Sequence, residues 1–513
     1  MIDLITLHVI GHQLRGIAEE MEAILVRGAY SPNITERRDC STAICDATGR
    51  MIAQSASIPV HLGAMPAALE AVIACEPEPG DVWVLNDPYQ GGSHLPDLTM
   101  VSPLDIDGVR LGYAISRAHH ADVGGSAAGS MPAGSRELVQ EGLILPPVRL
   151  IAAGEHRSDI EAIIVRNSRT PHERVGDLRA QLASHIVAAR EYERVCGRWA
   201  APVLQKACNE LLAYASRRMR AAISAIPDGI YQAIDYLEGD GISDDLIPIQ
   251  VTVVVAGDHV CVDFSGTAPA VAGNLNCPLS VTKAAVYFVF RCLTDPDIPS
   301  SSGAFDVIEV VAQDGAVVNA QFPSAVAAGN VETSSRIVDV LFSALGQAIA
   351  VPAHGQGTMN NVTIGSEAFT YYETIGGGQG ASAHGPGPSG VHVAMSNTLN
   401  TPVEVLEITY PLRVEHYRCR PGTGGRGMHV GGDGVSRSFR MRAPAYVSVI
   451  SERRALAPHG SAGGENGHVG RNTLNGDLLP AKWQGHVEPG DILAIDTPGG
   501  GGWGPPPPDI RSE

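Results

Sequence analysis

The sequence predicts an α+β fold of several lobes, and three observations lead there. Apolar residues recur at helical spacing near the start and again through a middle stretch, residues 158–226, whose other positions are rich in arginine and glutamate. Short runs of β character lie before and after that stretch. Glycine, 58 residues of 513, gathers late in the chain at Gly376–Gly380, Gly422–Gly434 and Gly499–Gly502 among short strands. A chain this long exceeds one hydrophobic core. The boundaries fall into an α/β region 1–157, a helical segment 158–229, an α+β segment 230–354, a glycine-rich β segment 355–504 and a tail 505–513.

Ile10, Leu14, Ile17, Met21 and Leu25 make one face of an opening helix. From Asn33 to Gln54 two apolar-rich arms flank Asp46-Ala-Thr-Gly49, the pattern of a β-hairpin. A helix is expected over Pro66–Cys75 and a strand over Asp81–Leu85. That strand runs into a polar, glycine-bearing loop, Asn86–Asp97. Arg110–Ser116 reads as a strand ending at His119-His120. Pro227-Asp-Gly229 stops the helical middle. β character follows over 230–275, with Val251–Val255 as a buried strand, and helices are expected at Leu279–Leu293 and Ser334–Ile349. The late glycine clusters read as tight turns of a β segment, with glycines at positive φ.

Hydrophobic residues at 44% and charged ones at 18% place the chain among globular proteins. A net charge of −19 argues against nucleic acid, which needs a dense Lys/Arg surface. Nine scattered cysteines without a CxxC pair fit reduced thiols. The first residues carry no basic run, and no apolar stretch approaches the ~20 residues of a membrane span. A cytoplasmic protein is expected, without membrane contact. No GxxxxGK[ST] occurs, and no G-x-G-x-x-G opens a helix after a strand, so a nucleotide site in this chain is not expected. No serine nucleophile motif stands out either.

The densest polar constellation lies between Asp39 and Asp122. His94 and Asp97 are three apart, His119-His120-Ala-Asp122 follows, and Asp39 closes Glu36-Arg37-Arg38-Asp39. Imidazoles with carboxylates form the ligand set of a divalent transition metal such as Zn²⁺, Mn²⁺ or Fe²⁺. The same residues also serve as ordinary turn and capping groups elsewhere. In a strand, neighbouring side chains face opposite ways, so one histidine of the pair belongs to a site. His119 is the choice, with His120 behind it or in the core.

At these residues the chain resembles the hydantoinase B/oxoprolinase family. The likeness runs through Ser31–Asp39, Ile58-Pro-Val-His-Leu-Gly63, Asn86–Asp97 and Ala118–Gly125. It continues through Asp263–Thr267, Gly329-Asn-Val-Glu-Thr333, Gly357–Asn361, Asn397–Pro402, Gly424–Gly427, Gly431–Gly434 and Thr497–Gly504. Cys40, where an aromatic residue is usual, and Trp503, in place of a tyrosine, depart from the pattern. The resemblance implies the B half of an ATP-dependent hydrolase of cyclic amides or ureides, of hydantoinase, N-methylhydantoinase or 5-oxoprolinase type. It further implies a hydantoinase A-type ATPase partner that binds ATP and phosphorylates the carbonyl oxygen, in an A2B2 heterotetramer. Asp39, His94, Asp97 and His119 become the metal ligands on this reading. His120 or Asp122 would then orient water or carry its proton, and Arg37 or Arg38 would either steer the phosphorylated substrate or form an ion pair with Glu36 or Asp39. A component of an acetone- or acetophenone-type carboxylase and a non-catalytic scaffold for the ATPase are the alternatives.

Overall fold

A computed structural model of the chain describes residues 2–55 and 58–508; residues 509–513 of the expected tail lie outside them. The fold is α+β with four separate sheets. The opening helix, Leu4–Gly28, buries the apolar face read from its spacing, and Asp3 caps it by accepting from the Thr6 N–H. The hairpin consists of β1 (Cys40–Asp46) and β2 (Met51–Ser55). It starts later than the sequence suggests, because Pro32–Thr35 forms a helical turn with proline at its first position. With β3 (Val82–Leu85), β4 (Asp97–Ile106), β5 (Val109–His119), β6 (Val148–Ala152) and β7 (Glu155–His156), it makes a seven-stranded sheet. The strand order is β2-β1-β5-β4-β3-β6-β7, antiparallel throughout. Strand β4 is not foreshadowed by the sequence pattern.

Helices Pro171–Arg198 and Ala201–Ile223 pack with the opening helix against one face of this sheet. The other face meets helices Ala64–Ile73 and Leu279–Leu293, joined in the largest core by a four-stranded sheet over Gly229–Val311. Within that sheet Val251–Val255 alternates between buried and half-buried residues, so the strand buries one face rather than both. Helix Ser334–Leu345 runs through the same core and is buried almost all round. The C-terminal part forms two sheets that share one apolar core around Phe439, Val447 and Ile495. Among the described residues no helix is long and apolar enough to cross a membrane.

The glycine clusters differ from the expectation. Of the glycines in 376–380, 422–434 and 499–502, only Gly422 has a left-handed φ. The others let extended segments pass through one another's space. A Cβ on Gly432 would lie 1.9 Å from the Pro388 carbonyl oxygen, one on Gly378 2.0 Å from the Gly432 oxygen, and one on Gly500 2.1 Å from the Gln379 oxygen. The segments are cross-linked by backbone hydrogen bonds, Gly500 to Gly432 (2.9 Å) and Gly432 to Gln379 (2.8 Å) among them. As at the crowded axis of a collagen helix, only glycine fits.

Candidate metal centre

The centre is assembled where three strands of the first sheet end together. In the antiparallel register Asp97, the first residue of β4, lies directly beside His119, the last of β5. The His119 N–H donates to the Asp39 carbonyl oxygen (2.9 Å), which brings the residue before β1 to the same edge. His94 arrives on the loop before β4. There the Asn86 amide donates to the Leu95 and Leu143 carbonyls and accepts from the Leu145 N–H, at 2.7–2.9 Å. Gly91, at φ +91°, lets the loop lie flat on the helix below: a Cβ there would fall 2.3 Å from the Ala68 nitrogen. Buried Arg117 holds the loop from inside, donating to the Gly91 carbonyl (2.9 Å) and the Thr99 hydroxyl (2.8 Å).

Three donor atoms result in a near-equilateral triangle. His94 Nε2 and His119 Nδ1 are 3.2 Å apart, and they lie 3.2 and 3.3 Å from Asp97 Oδ1. Atoms bound at about 2.0–2.1 Å to one tetrahedral cation sit about 3.3 Å from each other. The spacing therefore fits a shared divalent ion, and this chemistry of two nitrogens and one oxygen suits several transition metals. His94 Nδ1 and His119 Nε2 are buried without hydrogen-bond partners among the described residues. The second carboxylate oxygen of Asp97 accepts from the Ser93 hydroxyl and lies 3.6 Å from His61 Nε2. Burial alone would raise the Asp97 carboxyl, yet the charge of His94 and the hydrogen bonds from three histidines hold it well below the ordinary range. The site is thus tuned to keep a carboxylate charged in the interior.

Asp39 lines the same cavity, but its carboxylate stands outside the triangle and pairs with Arg37 at 3.7 Å. His61 takes a place there that the sequence did not give it, with Nδ1 bonded to the Ser41 hydroxyl at 2.9 Å. Its only signal in the sequence is the motif Ile58–Gly63, which by itself carries no role. Tyr372 stacks on His119 with rings 4.5 Å apart and 11° from parallel. Arg37 is fully buried and lies over the Tyr372 ring (4.9 Å); its guanidinium donates to the Tyr372 carbonyl and the hydroxyls of Thr374 and Thr398. It braces the site rather than steering a substrate from outside. Arg38 points to solvent. The cavity over the triangle has a volume of about 20 Å³ and is closed by Ile58, Val60, Asn330, Val331, Met359 and Met395. Larger clefts of about 650–680 Å³ lie elsewhere and touch none of the three donors.

His120 and Asp122 were expected to work beside the metal, and neither lines the cavity. Strand alternation turns His120 to the opposite face, where Nε2 meets the Gln181 side-chain oxygen at 2.8 Å. Burial, helped by the Arg174 charge, pushes its pKa down to about 3, so it is a neutral core group. Asp122 accepts from the backbone N–H groups of Gly124, Gly129 and Arg169 and from the Arg169 guanidinium, all at 2.9–3.0 Å. It knits a loop. A second buried cluster, Asp235, Asp339 and His354, has ligand-like spacing, but its carboxylates already hold Arg336 and Arg453 at 2.5–3.3 Å. Guanidinium groups supply the positive charge there.

Comparison with known proteins places this chain in a class. The Hydantoinase B/oxoprolinase family profile matches residues 3–506, and the chain belongs to that family. It is 35% identical to 5-oxoprolinase 1 of Arabidopsis thaliana over 98% of its own length but only 42% of that longer protein. It is 31% identical to the B component of a putative D-/L-hydantoinase from a Pseudomonas species, covering 98% of this chain and 90% of that one. The crystal structure of the ATP-dependent caprolactamase from Pseudomonas jessenii superposes with a TM-score of 0.91 at 27% identity, covering 98% of this chain and 92% of that one.

Proposed function

We propose that the chain is the metal-bearing B-type component of a two-component, ATP-dependent hydrolase of cyclic amides or ureides. The observation that carries this reading is the triangle of His94, Asp97 and His119, with edges of 3.2–3.3 Å, in a buried cavity. A relative named as one component of a hydantoinase matches nearly end to end, whereas in the 5-oxoprolinase the same region is less than half of one chain. This supports a separate partner for the remaining work. A sequence without a phosphate-binding loop motif fits this division, in which ATP is bound by a hydantoinase A-type partner, and an A2B2 assembly belongs to the same proposal.

Asp39, which lines the same cavity, completes the proposed ligand set. A divalent cation of zinc, manganese or iron held there would supply Lewis acidity and activate water at neutral pH. The protein's part is orientation. Ser93 and His61 fix the outer oxygen of Asp97, and Tyr372 holds the plane of His119. Arg37 keeps Tyr372 and the hydroxyls of Thr374 and Thr398 in register beside Asp39. Val60, Val331 and Met359 exclude bulk water, so that the attacking and leaving groups meet fixed dipoles.

Reconstitution of the chain with its ATPase partner tests the proposal. ATP-dependent ring opening is expected with hydantoin, N-methylhydantoin or 5-oxoproline among the substrates screened. It should be lost in Asp97→Asn. A carboxylated product that requires bicarbonate would overturn it in favour of a ketone carboxylase.

A further inference from the structure

Residues Gly329–Thr333 make one π-helical turn that leads into helix Ser334–Leu345. Such turns are rare and gather at functional positions. This one is clamped: a Cβ on Gly329 would fall 1.8 Å from the Asn276 carbonyl oxygen, and the Thr333 hydroxyl donates to the Leu275 carbonyl. The turn thereby presents Asn330 and Val331 to the cavity over the metal triangle. Asn330 is 3% exposed, and its Oδ1 is buried with no hydrogen-bond partner among the described residues. Leaving an amide acceptor unpaired in the interior is destabilising, and a buried orphan calls for an explanation. Tying down the turn is not the explanation, because Gly329 and Thr333 do that.

Resting on the proposed function, we infer that Asn330 is the subsite for the ring nitrogen of the cyclic amide. A small ring forces its amide into the cis form, so that N–H and C=O share one edge. A carboxamide offers an acceptor and donors side by side, the complement of that edge. An open-chain amide is trans and presents the two groups on opposite edges. When the carbonyl oxygen takes the γ-phosphate of ATP, ADP leaves, the N–H proton passes to water and the ring holds a C=N imidate whose nitrogen is an acceptor; the same carboxamide, turned over, donates to it. Met359 and Met395 form apolar wall on the same cavity, which at about 20 Å³ holds a water-sized group. Their unbranched side chains can swing aside to admit a ring.

The test uses the reconstituted complex with Asn330→Leu, an apolar side chain of similar size, and Asn330→Ser as a milder second variant. The readout is the ratio of kcat/KM for a lactam or hydantoin to that for the same ring methylated on the nitrogen being released. The wild type should favour the N–H ring by about a hundredfold or more, as sites built around a substrate hydrogen bond do. Both variants should bring that ratio down at least tenfold while metal content stays at the wild-type level. Asn330→Leu, relieved of an orphaned acceptor, should also melt at or above the wild-type temperature. An unchanged ratio in either folded variant overturns the role of Asn330 alone. A wild-type complex with neither bound metal nor cyclic-amide turnover overturns the underlying function as well.

Discussion

Replacing Gly432 with alanine tests the glycine-packed region at one of its tightest backbone contacts. The added methyl would sit 1.9 Å from the Pro388 carbonyl oxygen and 2.5 Å from its carbon, both backbone atoms. No side chain can swing aside. Relief requires a movement of roughly 1.4 Å, judged against an ordinary carbon–oxygen contact near 3.3 Å. That movement breaks the bonds from Gly432 to Gln379 (2.8 Å) and from Gly500 to Gly432 (2.9 Å). Overpacking costs about 1–3 kcal/mol and each hydrogen bond about 0.5–1.5 kcal/mol. Gly432→Ala should therefore cost about 2–6 kcal/mol, read as a drop in the urea midpoint at unchanged slope. Gly197 is the control: it lies in helix Pro171–Arg198 with nothing within 4 Å of a Cβ. Gly197→Ala should stabilise by about 0.5–1 kcal/mol. If Gly432→Ala unfolds within about 0.5 kcal/mol of the wild type, the backbone segments are not packed as described.

Two further outcomes follow from the buried histidines. His120→Leu should lose stability through the bond to Gln181 but keep the full metal content, because the ring faces away from the triangle; loss of metal measured on the folded variant would put His120 back in the centre. His185, between the Ser102 and Ser116 hydroxyls, is pushed by burial from 6.5 to about 3. The unfolded chain binds the extra proton between those values, so this group's contribution is present above pH 6.5 and is lost as pH falls toward 3. His185→Gln should flatten the stability–pH slope between about pH 6 and 4 by about 1.4 kcal/mol per unit; an unaltered slope would show that the imidazole is not held neutral.

The helices were the most legible part of the sequence. Ile10, Leu14, Ile17, Met21 and Leu25 share one buried face, and Leu279–Leu293 begins and ends where its pattern does. Periodicity reports burial on one side, which is what those helices have. Strand β4 escaped because Asp97–Leu104 is buried on both faces and shows no alternation to read. The glycines escaped for another reason. A turn glycine and one pressed against a neighbouring backbone look alike in sequence, since the neighbour comes from far along the chain. At the centre, the convergence of His94, Asp97, His119 and Asp39 on one cavity follows the motifs. Sequence could not show that His61, Asn330, Met359 and Tyr372 close the cavity, because they come from separate elements. Nor could spacing say that Asp122 is consumed by a loop.

Metal content of the purified full-length chain, measured by elemental analysis after titration with Zn²⁺, Mn²⁺ and Fe²⁺, bears most directly on the centre. The account predicts close to one divalent ion per wild-type chain. Asp97→Asn and His94→Ala should weaken binding by more than the ~10–100-fold expected from losing a supporting contact alone. A wild-type chain that takes up none of the three ions, or undiminished binding in both folded variants, would contradict the claim that the triangle of His94, Asp97 and His119 grips a metal.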